Sequence, residues 1–87
     1  MTLVMSYHDV KDVEHWLASP QREEVFGPLG VSDIKTFVDP QGSNRVGLLM
    51  EIPDMDAVMA MLQTQEGADA MEQDGVIPES LVILVES

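Results

Sequence analysis

The run Leu81-Val82-Ile83-Leu84-Val85 contains no polar residue, and this constrains the fold more than any other feature of the chain. Its length and β-branched content read as a strand. A strand with one face in water alternates apolar and polar residues, whereas this one asks for cover on both faces. Its edge would also need guarding, because an apolar edge in water invites uncontrolled pairing.

The remaining segments supply some of that cover. Residues 2–8 read as a first strand, with Leu3, Met5 and Tyr7 on one face and Val4, Ser6 and His8 on the other. Asp9 or Asp12 is placed to cap a helix, on which Val13, Trp16 and Leu17 fall at helical spacing. Ser19-Pro20 breaks that helix, with Ser19 as a new cap, and Val25, Phe26 and Leu29 form a second short stripe ended by Gly27, Pro28 and Gly30. A second strand covers about 31–39, anchored by Ile34, Phe37 and Val38. The composition of 40–44 is that of a hairpin turn.

A third strand runs from about Arg45 to Ile52. Val46, Leu48, Met50 and Ile52 share one face, and Gly47, Leu49 and Glu51 the other. Asp54 caps a second helix with the stripe Met55, Val58, Met59 and Leu62. Thr64 caps a further piece that ends near Gly75 and turns Ala68 and Met71 inward. The last strand occupies 81–86.

An order of βαββαβ within 87 residues is the split-βαβ, ferredoxin-like arrangement, here one α+β domain over 1–87. It implies a four-stranded antiparallel sheet in the order 4-1-3-2, with two broken helices on one face. The other face is left bare. A two-fold homodimer would cover that face and guard the edge of the last strand, so a homodimer is expected.

Sixteen acidic residues against four basic ones give a net charge of −12. Lys11, Arg22, Lys35 and Arg45 are too few and too scattered for the basic footprint of a nucleic-acid site. An anionic membrane would repel such a surface. No apolar run approaches the ~20 residues of a membrane span, and no secretory signal is expected. Cysteine is absent, which excludes disulfides, thiolate metal sites and a cysteine nucleophile. A cytoplasmic location fits that composition best.

His8 is the leading candidate for chemistry. It ends the first strand, where side chains reach a pocket mouth, and its near-neutral pKa suits acid–base work. The alternative is a histidine that holds the strand–helix corner by bonding a helix-start carboxylate such as Asp12. Trp16 could roof a pocket and stack on a planar ligand, or be core. Tyr7 could donate to a ligand oxygen, or simply pack. Gly47 leaves room for a bulky neighbour or a ligand. His8, His15 and Asp12 are weak metal candidates, since their spacing matches no dedicated site. Met50, Met55, Met59, Met61 and Met71 make the interior methionine-rich, suited to moulding around an apolar ligand or to filling a core. No cofactor motif is present, so none is expected.

The run Tyr7-His8-Asp9-Val10-Lys11-Asp12-Val13-Glu14-His15-Trp16 resembles the opening of small uncharacterised bacterial proteins of the dimeric α+β barrel superfamily. There a strand ends in His and an Asp-x-x-x-Trp helix follows. Gly30-Val31, Asn44-Arg45-Val46, Pro53-Asp54 and Gly75-Val76 agree with the later element boundaries of that family. The resemblance implies the same fold, a dimer, and a pocket between the helices and the sheet. It also implies a choice of function. The first is binding of a small apolar or aromatic molecule, with Tyr7, Trp16 and Gly47 as ligand contacts. The second is a cofactor-free enzyme of monooxygenase, cyclase or isomerase type with His8 as acid or base. The third is a pocketless interaction dimer. The asparagine-tryptophan-histidine set of the monooxygenases has no match, because the single asparagine, Asn44, falls in the hairpin. The second helix carries no histidine, which speaks against haem degradation.

Overall fold

The computed structural model describes residues 2–87. Its strands are β1 (Thr2–Asp9), β2 (Ser32–Val38), β3 (Arg45–Ile52) and β4 (Val82–Val85). Its helices are α1 (Val13–Ala18), α2 (Gln21–Phe26), α3 (Met55–Leu62) and α4 (Gln65–Gln73). The strands form one antiparallel sheet in the order β2-β3-β1-β4, the order the segment pattern implies.

β1 pairs with β3 along its whole length, from Thr2 opposite Ile52 to Asp9 opposite Arg45. One face of that pair carries Val4, Ser6, His8, Val46, Leu48, Met50 and Ile52, all buried. Trp16, Val31 and Val58 join them to make the core. Alternation forces the neighbours of those residues onto the opposite face, where no helix packs. Met5, Phe37 and Leu84 stand about half exposed there, at 49%, 51% and 51%.

The helices break where polar caps interrupt them. Asp12, Asp54 and Thr64 each accept a backbone N–H from the first turn of α1, α3 and α4 respectively. At the α1–α2 break Pro20 takes the cap position, and the Ser19 hydroxyl accepts from the Gln21 N–H at 3.1 Å. Three stripe assignments differ from the sequence expectation, at Leu17, Met59 and Ala68; Leu17 is 43% exposed, because the short α1 turns Trp16 inward instead. Met59 is exposed and Met61 turns inward. In α4 Ala68 is exposed and Gly67 is buried instead. A methyl group on Gly67 would meet the Met61 carbonyl oxygen and lie 3.2 Å from the Leu62 Cα. Only glycine lets the α3–α4 corner close so tightly.

β2 departs from the expected anchoring as well, since Phe37 and Val38 are exposed. Val38, opposite Val46, faces the helix side but ends an edge strand, whereas for Phe37 the reason is a bulge. Ser32 pairs with Glu51 and Lys35 with Leu49, so three steps along β2 match two along β3. Asp33 absorbs the extra residue with φ of 54°, a left-handed conformation that Asp tolerates better than most residues. β4 is shorter than its apolar run. Leu81 belongs to the end of the turn Pro78–Ser80, and pairing begins at Val82.

Candidate functional site

The helices do not seal against the sheet. Between them lies a cavity of about 100 Å³. Most of its wall is apolar, with Leu48, Met50, Val58, Met61, Met71 and Ile83 among the lining residues. Its polar groups are Ser6 and His8 from β1, Gln21 and Arg22 from α2, and Asp74 just beyond α4. The chain brings these together because β1 runs into α1 at the place where α4 ends. Lys11 N–H donates to the Gly75 carbonyl at 2.9 Å, and Ile77 N–H to the Asp9 carbonyl at 3.0 Å.

His8 is 3% exposed. Neither Nδ1 nor Nε2 has a hydrogen-bond partner among the described residues. Asp12, the expected partner in the structural alternative, bonds His15 N–H instead. Buried polar atoms are almost always paired, and an unpaired one costs ~1–3 kcal/mol. The imidazole meets Trp16 edge-on, with ring centroids 5.6 Å apart and planes at 75°. Burial pulls the His8 pKa below the ordinary 6.5, the Arg22 cation pushes the same way, and the Asp9 and Asp74 carboxylates oppose both. At neutral pH the ring is therefore uncharged, with one N–H to give and one lone pair to fill.

Arg22 holds the other side of the tryptophan. Its guanidinium carbon lies 4.3 Å from the Trp16 ring centroid, a cation–π contact. Nη1 donates to the Trp16 carbonyl at 2.8 Å and Nη2 to that of Leu17 at 3.4 Å. Burial lowers the Arg22 pKa, against the Asp74 and Glu23 carboxylates, and the side chain remains a cation. Asp74 is buried and accepts from the Ser19 hydroxyl. Among the described residues the one ion pair is Arg45 with Asp9, at 3.1 Å, and neither residue lines the cavity.

The sequence candidates separate accordingly. His8 and Trp16 line the cavity. Tyr7 and Gly47 do not: they pair with each other in the sheet and face the opposite side from His8. The room left by Gly47 is taken by Phe37, whose Cβ would stand 3.7 Å from a methyl placed there. Tyr7 instead lies under Arg45, 5.3 Å from its guanidinium carbon. His15 and Asp12 also lie outside the cavity, and His15 Nε2 bonds the Gln73 carbonyl at 2.7 Å. No group of three His, Asp or Glu side chains able to hold a metal ion occurs among the described residues.

Arg22 and Asp74 were not singled out from the sequence. Asp74 left a signal, since a carboxylate at a helix C-terminus opposes the helix dipole and so asks for a reason to be there. Arg22 left a fainter one, as the single Lys or Arg within the four helices.

No family model matches the chain, and no curated protein sequence matches it. Solved structures do. An antibiotic biosynthesis monooxygenase superimposes with a TM-score of 0.63 at 14% identity, over 100% of this chain and 97% of that one. A candidate antibiotic biosynthesis monooxygenase from Bordetella bronchiseptica gives 0.68 at 11% identity, over 100% and 97%. An ethyl tert-butyl ether d (ethd) family protein from Bacillus halodurans gives 0.58 at 16%, over 100% and 98%. At these identities the likeness is one of fold, and it is the ferredoxin-like α+β fold that the resemblance implied.

Proposed function

We propose that this chain forms a homodimer whose protomers each bind a small, chiefly apolar or aromatic molecule between helices and sheet, with His8 as its polar anchor. One observation carries the reading: a buried imidazole with both nitrogens unpaired, on the wall of a cavity that is otherwise mostly apolar. A folded chain keeps such a group at a cost in stability, and a ligand atom that bonds it returns that cost on binding. The space is below the ~300–1,000 Å³ of drug-sized pockets. Methionine walls reconcile the two, because thioether chains change rotamer at little cost and let the space swell around a guest. No helix among the described residues is long and apolar enough to cross a membrane.

The dimer rests on the other face of the sheet. Met5, Phe37 and Leu84 form an apolar surface that a second copy would cover. At ~25 cal/mol per Å² such burial adds substantially to a domain this small.

Acid–base catalysis is the second reading, favoured by the neutral state of His8. An uncharged imidazole beside a bound hydroxyl is ready to accept its proton, and two of the similar structures carry monooxygenase names. Native mass spectrometry of the purified protein tests the binding reading. A dimer carrying a small molecule is expected, and His8→Phe should lose that molecule while keeping the dimer. A wild-type protein that retains no guest and binds none from an aromatic library would leave only an interaction role. Product formation from a bound guest, lost in His8→Phe, would move the balance to an enzyme.

A further inference from the structure

The cavity has a neighbour. A second concavity of about 260 Å³ lies on the outside of the helix layer, lined by His15, Ala18, Ser19, Pro20, Gln21, Gln73 and Asp74. Gln21 and Asp74 line both spaces. They therefore form the partition between an apolar interior and a polar groove open to solvent. The partition is held by side-chain hydrogen bonds across the α1–α2 break. Ser19 donates to Asp74 Oδ1, and Gln21 Nε2 donates to Gln73 Oε1 at 2.6 Å. These are bonds between polar side chains, so a ligand group of matching chemistry can exchange with them.

We infer that the ligand is an amphiphile: its apolar body occupies the cavity and a hydrogen-bond-donating, non-anionic head sits at the Gln21–Asp74 doorway. This rests on the binding reading above and adds the chemistry of the head. Asp74 Oδ2 has no hydrogen-bond donor among the described residues, so the doorway presents a free acceptor. The helices around it carry Glu14, Glu23, Glu24, Glu66, Asp69 and Glu72. The one Arg or Lys among those helices, Arg22, stacks on Trp16 and turns one N–H each of Nη1 and Nη2 to the Trp16 and Leu17 carbonyls. Asp74 is the one carboxylate that lines both spaces, and the helix surface around them is acidic, so a carboxylate head meets like charge. An ammonium head has both the free oxygen of Asp74 and the lone pair of neutral His8 to donate to on the cavity wall, and a hydroxyl head has either one.

The test uses three probes that share one chain: hexylamine, n-hexanol and hexanoate. Trp16 is the only tryptophan and lines the cavity, so its indole N–H resonance in a proton–nitrogen spectrum reports occupancy by each. Hexylamine and hexanol should bind about tenfold more tightly than hexanoate, as one charge-assisted hydrogen bond implies. Asp74→Asn should shrink the difference between amine and carboxylate. Gln21→Glu should widen it, and it supplies the test if Asp74→Asn fails to fold. Hexanoate binding as tightly as the amine, or a preference unchanged in both variants, would overturn the inference while leaving cavity binding in place. If none of the three moves the Trp16 resonance, the binding reading falls and the inference with it.

Discussion

Replacing His8 by phenylalanine should make the protein more stable. The native imidazole is enclosed with two unpartnered nitrogens, and each such group costs ~1–3 kcal/mol in measured cases. Phenylalanine removes that penalty and keeps a ring to meet Trp16 edge-on, so the ~0.5–1.5 kcal/mol of an aromatic pair is retained. The extra ring atoms have the adjoining 100 Å³ to enter. Overpacking, at ~1–3 kcal/mol where no space exists, is accordingly small here. The net expectation is a gain of ~1–2 kcal/mol, read by urea unfolding at fixed protein concentration, with a rise in Tm of ~4–8 °C per kcal/mol for a domain this size.

The gain should depend on pH with a definite sign. The folded pKa of His8 lies below 6.5, mainly through burial. The unfolded chain therefore takes up the proton first as pH falls through about 6.5, and the wild type loses stability from there down to the folded pKa. His8→Phe lacks this slope, so its advantage should grow on acidification and then level off. A variant less stable than wild type by ~1 kcal/mol or more, at neutral and at acid pH alike, would refute the reasoning. It would mean that the nitrogens are satisfied in solution, by ordered water, and that His8 is a structural group.

Gly67→Ala sets two effects against each other. Alanine raises helix propensity by ~1 kcal/mol, but its methyl meets the backbone carbonyl of Met61, which cannot swing aside as a side chain does. Destabilisation by ~1–2 kcal/mol in urea is expected, and a net gain would mean that the α3–α4 corner is loose. Leu84→Lys alters a half-exposed residue, so it should leave the fold of the protomer intact while lowering the mass seen in sedimentation velocity from dimer to monomer; unchanged mass refutes pairing through this face. Asp12→Ala removes the oxygen that accepts the His15 N–H at 3.3 Å. A loss of ~1 kcal/mol is expected from this cap, and no loss would show that α1 is held by packing alone.

Much of this architecture is legible in the residues because the periods are strict. Val46, Leu48, Met50 and Ile52 alternate without exception and all are buried. Ser19-Pro20 and Thr64 mark helix breaks that follow from a missing donor and a ready cap. The site was legible only in part. Alternation along β1 already places Tyr7 and His8 on opposite faces, and it outweighs their closeness in sequence as a guide to a shared pocket. The inward side of a short helix is harder to read. Two turns leave a residue of angular doubt, and the neighbouring elements resolve it, as when Gly67 and not Ala68 faces in. Arg22 is buried because the Pro20 break swings α2 back beneath Trp16. That is a tertiary event with no local pattern to announce it.

The bulge in β2 sets what the molecule shows to its surroundings. Were all residues of β2 kept but paired with β3 without the bulge, each residue after Ser32 would slip by one and change sides. Phe37 would turn toward the helices, while Thr36 and Val38 would take its place outside. One aspartate held at positive φ thus acts as a phase shifter for the edge strand. A chain of the same fold without it would hide its phenylalanine and present a threonine, and would offer a different face to any second copy.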